Sequence, residues 1–431
     1  MQRIAHPIRE TAPAMSSFAF VSLLLLLAAA LGSVNHLFFR LPRTIALMAG
    51  SLLLSVIILI LDPLISSLAL RHWWENQVVI KDLPHVFLNG VLAFMLFAGS
   101  LHVDVDQLRE RKWAVLSLAT LGVLLATALY GGGIWLVFAG RLPLPWCFVL
   151  GALLAPTDPI AVGGLLREAG LPDGLLAVVN GESLFNDGVA VVVFATALDW
   201  ANGQTTTLAT AGLNMLAQGG GGMVLGLVTG YLAYRAIRLI DDAGLELTIT
   251  LALVTVTYSL AEAIGVSGPL AVVVAGLLTG HHATRFGMTD LSRQQVVMFW
   301  DLIDELLNAV LFLLMGFALL TVDISWLVLG AAAGGIVLAL LTRLISVAIP
   351  TTLVHLRRLP WLRGVAVLTW GGLRGGISVA LALTMQASPY RGALLTVCYA
   401  VVVFTILVQG LSMPVLIRWL YKDRAITAVR R

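Results

Sequence analysis

Residues 146–166 read WCFVLGALLAPTDPIAVGGLL, a run of 21 residues whose one charged side chain is Asp158. A stretch of that length and apolarity matches the ~20 residues that cross a bilayer as a helix. At its centre, however, stands Ala155-Pro156-Thr157-Asp158-Pro159. Pro156 and Pro159 each lack a backbone donor, and Pro159 disfavours the α region at Asp158. The stretch predicts a membrane helix interrupted at mid-depth, with a carboxylate and freed carbonyl oxygens at the break.

The rest of the chain has the same character. Of 431 residues, 59% are hydrophobic and 11% charged, with a mean hydropathy of +0.96. Soluble domains carry roughly 25% charged residues, so a soluble globular enzyme is excluded. The 26 basic and 23 acidic residues are balanced and scattered, which excludes nucleic acid as a partner, because that needs a clustered basic face. Cys147 and Cys398 both lie in apolar runs and read as inert core thiols, and neither a metal cluster nor any other cofactor is implied.

Apolar runs between polar breaks give about thirteen membrane segments in an all-α chain: 17–39, 44–61, 83–103, 113–139, 146–166, 175–198, 208–237, 245–264, 268–283, 296–321, 325–354, 364–386 and 391–420. Arg3 and Arg9 ahead of residues 18–31 resemble a signal peptide, but apolarity continues through Phe39 and makes this a first span. The loops are short, so residues 1–431 read as one transmembrane domain with no soluble C-terminal domain. With the C-terminus inside, 18 Lys and Arg residues fall on the cytoplasmic side and 6 outside, and Arg343 and Arg374 are left within the membrane. The positive-inside rule therefore favours N-out, C-in, in a multi-pass protein of the cell (inner) membrane.

Ionisable groups at bilayer depth mark pathways or paired sites. The deep ones are Asp158, Glu182, Asp187, Arg343 and Arg374. Within Gly181-Glu182-Ser183-Leu184-Phe185-Asn186-Asp187-Gly188, the two acids are about 140° apart around a helix and cannot share one small site. Ser183 shares a face with Asp187, and Glu182 shares one with Asn186. One face is thus free for a solute, while Glu182 pairs with a buried arginine. Segment twelve carries Gly371-Gly372-Leu373-Arg374-Gly375-Gly376 halfway along, a second interruption. Segments five and twelve are seven apart and so run in opposite directions, the sign of an inverted-repeat transporter with a midplane site. Gly222, Gly226 and Gly230 read as a packing face. Asp301, Asp304 and Glu305 form either a cation-attracting funnel or an interfacial acidic patch.

The strings GALLAPTDPIAV, VVNGESLFNDGVAVVVF, SGPLAVVVAGLLTG, LLNAVLFLLMGF and WGGLRGGISVALAL, in that order, resemble bacterial sodium/proton antiporters of the NhaP type. These are grouped with eukaryotic sodium/hydrogen exchangers in the cation/proton antiporter superfamily. The resemblance implies a mobile core of residues 113–198 and 325–420, and an interface part of 17–103 and 208–321 that forms a homodimer. It implies that Asp187 is the carboxylate shared by ion and proton, with Asp158, Thr157 and Ser183 supporting the ion. Asn186 stands where electrogenic relatives have Asp, which implies electroneutral exchange. Glu182 would be held by Arg343 or Arg374, which the sequence does not separate. Ala98 departs from those relatives that have Glu in the third helix.

The residues themselves favour the same chemistry. Sodium and lithium take hard oxygen ligands, which Asp187, Asp158, the Thr157 and Ser183 hydroxyls and carbonyls near Pro159 offer. One carboxylate that binds either a proton or a cation, exposed alternately to the two sides, is an antiporter of Na⁺ or Li⁺ for H⁺. Potassium/proton exchange on the same fold is the alternative. A passive channel would want a continuous polar pore. An intramembrane aspartyl enzyme would need both carboxylates on one reacting atom or water, a step that the arginines and inverted symmetry do not serve.

Overall fold

The computed structural model describes residues 15–64, 70–80, 82–158, 166, 171–204, 208–283, 288–322, 326–354, 361–386 and 388–421. Among these the ordered elements are helices, and no strand is present. Nine of the helices are long and apolar enough to cross a membrane. Each of the thirteen apolar runs contains at least one helix.

The first half comprises α1 (Ser17–Phe39), α2 (Arg43–Leu61), α3 (Leu70–Ile80), α4 (Leu92–Leu101), α5 (Lys112–Val137), α6 (Leu144–Leu153) and α7 (Asp173–Ala201). The second comprises α8 (Leu208–Ile237), α9 (Ala243–Ile264), α10 (Gly268–Leu278), α11 (Asp290–Phe317), α12 (Trp326–Leu353), α13 (Trp361–Trp370), α14 (Gly376–Thr384) and α15 (Arg391–Leu420). Side-chain caps start several of them where the sequence supplies Ser, Thr or Asp. Asp242 caps α9, Ser267 caps α10 and Thr289 caps α11.

Helix α3 lies between the second and third apolar runs and belongs to neither. It is eleven residues long and mixes Arg71, His72, Glu75 and Asn76 with tryptophans, so it is too short and too polar to register as a span. Its Trp74 is buried between Phe20 of α1 and Phe317 of α11, with ring centroids 6.0 and 4.9 Å away.

The glycine row of α8 packs directly on α10. A Cβ at Gly222 or Gly226 would strike the backbone oxygen of Ser267 or Ala271, and one at Gly230 would lie 3.0 Å from the Ala275 Cα. These glycines allow two backbones to touch where lipid supplies no hydrophobic drive between helices.

Both interruptions are real. Helix α6 stops at Leu153, and residues 156–158 are non-helical; Pro159 and residues 160–165 lie outside the described residues. Helices α13 and α14 are separated by residues 371–375. The two breaks cross each other in the buried interior. The Asp158 N–H donates to the Leu373 carbonyl at 2.8 Å. In return, the Arg374 guanidinium donates to the carbonyls of Ala155 at 2.8 Å and Pro156 at 3.1 Å.

Candidate functional site

The crossing satisfies the backbone groups that the breaks set free. Arg374 places its charge at the C-terminal end of α6, where the helix dipole is negative. The Asp158 side chain lies against Gly375, the residue before α14, where the dipole is positive, and a Cβ there would overlap the carboxylate. The Arg374 N–H itself donates to the Thr405 hydroxyl at 3.1 Å. Two of the freed carbonyls, those of Ala155 and Pro156, are thus occupied by Arg374, while Pro159, near which carbonyls are expected to serve an ion, lies outside the described residues.

Helix α7 divides its two acids as the 140° offset requires. Glu182, 1% exposed, accepts a bidentate pair from Arg343 of α12, 7% exposed, at 2.7 and 2.9 Å. Arg343 also donates through Nε to the Leu368 carbonyl at 3.2 Å. A Cβ at Gly372 would collide with this guanidinium, so that glycine is needed for the arginine to reach Glu182. The structure therefore separates the two arginines: Arg343 holds Glu182, and Arg374 holds the α6 end.

Asn186 ties this buried pair to the break. Its Nδ2 donates to the Thr157 hydroxyl at 2.8 Å and to Glu182 Oε1 at 3.2 Å, and its Oδ1 accepts the Thr157 N–H at 3.4 Å. The Thr157 and Ser183 hydroxyls are 3.3 Å apart. Asp187, one residue on and buried, turns the other way. It faces a cavity of about 440 Å³ that is also lined by Asp158, Ser183, Asn180, Asp304, Asp301 and His102. The cavity joins hard oxygen donors from the α6 break and from α7, the donor set that suits an alkali cation or a proton.

One contributor was hidden in the sequence. His102, at the end of α4, sits 2.8 Å from Asp301 and brings the ionisable side chain that α4 offers to this cavity. Ala98 is fully buried in a packed cluster with Phe97 and Leu101 instead, and is not among the lining residues. The acids of α11 also divide. Asp301 and Asp304 line the cavity, and Asp304 Oδ1 is buried without a hydrogen-bond partner among the described residues. Glu305 pairs with Arg43 of α2. Nothing in the sequence indicated that split beyond their neighbouring positions on one helix.

The transmembrane profile of the sodium/hydrogen exchanger family matches residues 22–419. The chain belongs to that family. It is 43% identical over 420 residues to the Na(+)/H(+) antiporter NhaP of Pseudomonas aeruginosa, covering 94% of this chain and 96% of that protein. It is 31% identical over 417 residues to the Na(+)/H(+) antiporter NhaH of Halobacillus dabanensis, covering 93% and 97%. Its fold matches the sodium proton antiporter MjNhaP1 of Methanocaldococcus jannaschii with a TM-score of 0.71, at 20% identity over 94% of this chain and 98% of that one. This exchanger-family chain is accordingly a multi-pass integral membrane protein.

The pairing of Glu182 with Arg343 predicts a specific pattern of stability. Glu182→Ala and Arg343→Ala should each cost about 3–5 kcal/mol, because each leaves an uncompensated buried charge. The double variant should lose clearly less than the sum, whereas Glu182→Ala with Arg374→Ala should be near additive. Melting of the detergent-purified variants measures this, and additivity in the Glu182–Arg343 cycle would contradict the assignment.

Proposed function

We propose that this chain exchanges Na⁺ or Li⁺ for H⁺ across the cell membrane, one for one, with Asp187 as the carboxylate that binds either. The observation that carries this reading is that Asp187 and Asp158, both buried, face one cavity at the crossing of two interrupted helices, while Glu182 is neutralised by Arg343. The naming of the Pseudomonas and Halobacillus relatives as Na(+)/H(+) antiporters supports the same reading.

The coupling follows from the cost of a bare charge. An unpaired carboxylate at bilayer depth is expensive, so the site crosses between its two access states only when Asp187 carries a proton or a cation. Asp158, Thr157 and Ser183 supply the further oxygens that replace the cation's water. Because Asn186 is neutral and Glu182 is already paired, one titrating charge exchanges per cycle, and no net charge moves. Exchange of this kind needs only the transported cation and proton, and no cofactor enters it.

For the moving parts, we assign residues 113–198 and 325–420 to a core that carries the site, and 17–103 and 208–321 to an interface part that pairs two copies. Support comes from the seam between them. Gly188 of α7 faces Leu270 of α10, and Gly376 of α14 faces Leu311 of α11, each so closely that a Cβ would overlap the leucine side chain. Smooth glycine backbone against apolar side chains is a surface on which one part can shift along the other. Thirteen crossings with the N-terminus outside and the C-terminus inside complete the arrangement.

Three outcomes test the proposal in proteoliposomes. Asp187→Asn should keep its melting temperature yet show no cation-driven proton efflux with Na⁺, Li⁺ or K⁺, since an amide cannot release a proton. Strong exchange by that variant would sink the assignment. A membrane potential set with a potassium gradient and valinomycin should leave the rate and end-point of Na⁺-driven exchange unchanged; a shift of either would show net charge movement. Asp304→Asn should raise the apparent KM for Na⁺ a few-fold with little change in maximal rate, and the effect should shrink at high ionic strength.

A further inference from the structure

A second hollow, of about 920 Å³, opens along the C-terminal half of α1 and the turn that leads into α2, and it shares no lining residue with the cavity that holds Asp187. One part of its wall is Ala28, Ala29 and Gly32, from the apolar body of α1, and the other part holds His36, Arg40 and Arg43. No aspartate or glutamate lines it among the described residues. Gly32 contributes to the space, for a Cβ there would meet nothing within 4 Å.

The basic end is built rather than incidental. Asn35 is buried and clamps the turn that follows α1. Its Nδ2 donates to the Leu41 carbonyl at 2.8 Å, and its Oδ1 accepts the Leu41 N–H at 3.0 Å. Inside this clamp Arg40 takes a left-handed backbone with φ of 53°, a conformation that costs a non-glycine residue energy and persists only when its surroundings impose it. The Arg40 N–H is used by the Asn35 carbonyl at 2.7 Å, and its guanidinium forms no ion pair among the described residues. Arg43 pairs with the exposed Glu305 of α11.

We infer that this hollow binds an anionic phospholipid, with the headgroup phosphate between Arg40 and Arg43 and the acyl chains against Ala28, Ala29 and Gly32. The lining suits a lipid. Its cationic end sits at the terminus of a membrane-length helix, where phosphates lie, and its apolar wall runs along the helix toward the hydrocarbon. Guanidinium groups take phosphate oxygens in pairs, and Arg40 has that capacity unspent. Arg43 is shared, so headgroup binding competes with Glu305, the neighbour of the cavity-lining Asp304.

Binding and melting of the full-length protein in neutral detergent test this without any transport assay. Added dioleoyl-phosphatidylglycerol should raise the melting temperature, while dioleoyl-phosphatidylcholine and inorganic phosphate should not. Arg40→Gln and Arg43→Gln should each weaken phosphatidylglycerol binding about five-fold, and the double variant should lose the lipid-dependent gain. Gly32→Leu removes no charge but fills the apolar wall, and should weaken binding too. Glu305→Gln should strengthen it by releasing Arg43. The inference is overturned if these variants bind phosphatidylglycerol like the unaltered protein, or if inorganic phosphate gives the same gain as the lipid. It is equally overturned if Ser33→Cys forms disulfide-linked dimers in high yield, because a second copy would then fill the hollow.

Discussion

The exchange of contacts between two broken helices is the constraint on which the site depends. Inside a bilayer, a backbone group freed from its helix has no water to turn to, and each one left unsatisfied costs several kcal/mol. Here the two breaks satisfy each other. Arg374 serves the carbonyls of Ala155 and Pro156, and Leu373 accepts the Asp158 N–H. The cationic side chain of one break meets the negative end of α6, and the acidic side chain of the other meets the positive end of α14. Neither interruption would be tolerable alone. Together they make a place in the membrane interior where Asp158 can sit beside glycine backbone.

Around that crossing the charges are sorted by neutralisation. Glu182 and Arg343 cancel in a bidentate pair, and Asn186 fastens the pair to Thr157 through neutral hydrogen bonds. A buried ion pair is weak evidence for net stability, because desolvation offsets much of the attraction. Its value here is positional. With Glu182 and Asn186 holding the α6 break against α7, Ser183 and Asp187 are left to turn toward the cavity. In the proposed exchange, that confines the variable charge to Asp187.

Much of this was legible in the sequence because the bilayer simplifies the reading. Length and apolarity located the helical runs, prolines and glycines located both breaks, and the helical offset separated Glu182 from Asp187. What stayed hidden depends on packing between segments far apart in the chain. Arg343 and Arg374 are both buried and both lie opposite the same region, so one-dimensional spacing cannot tell which reaches Glu182. The discriminating feature is the room above Gly372. Helix α3 escaped because eleven mixed residues resemble a loop to any test of hydropathy. His102 falls at the polar end of the run 83–103, and its place at the cavity arises only from α11 lying alongside with Asp301.

Helix α11 then connects three regions that the sequence presents separately. Asp301 and Asp304 face the cavity, Glu305 reaches Arg43 at the hollow beside α1, and Leu311 packs on Gly376 where α14 begins. These residues lie within three turns of one another on a single continuous helix, and a helix transmits a displacement along its length with little deformation. Under the inferred lipid binding, a change in the partner of Arg43 would therefore reach the carboxylates at the cavity first, and the leucine against the broken helix next. The coupling needs no separate regulatory domain. It requires only that Arg43 have two competing acidic partners, one fixed on α11 and the other supplied by the membrane.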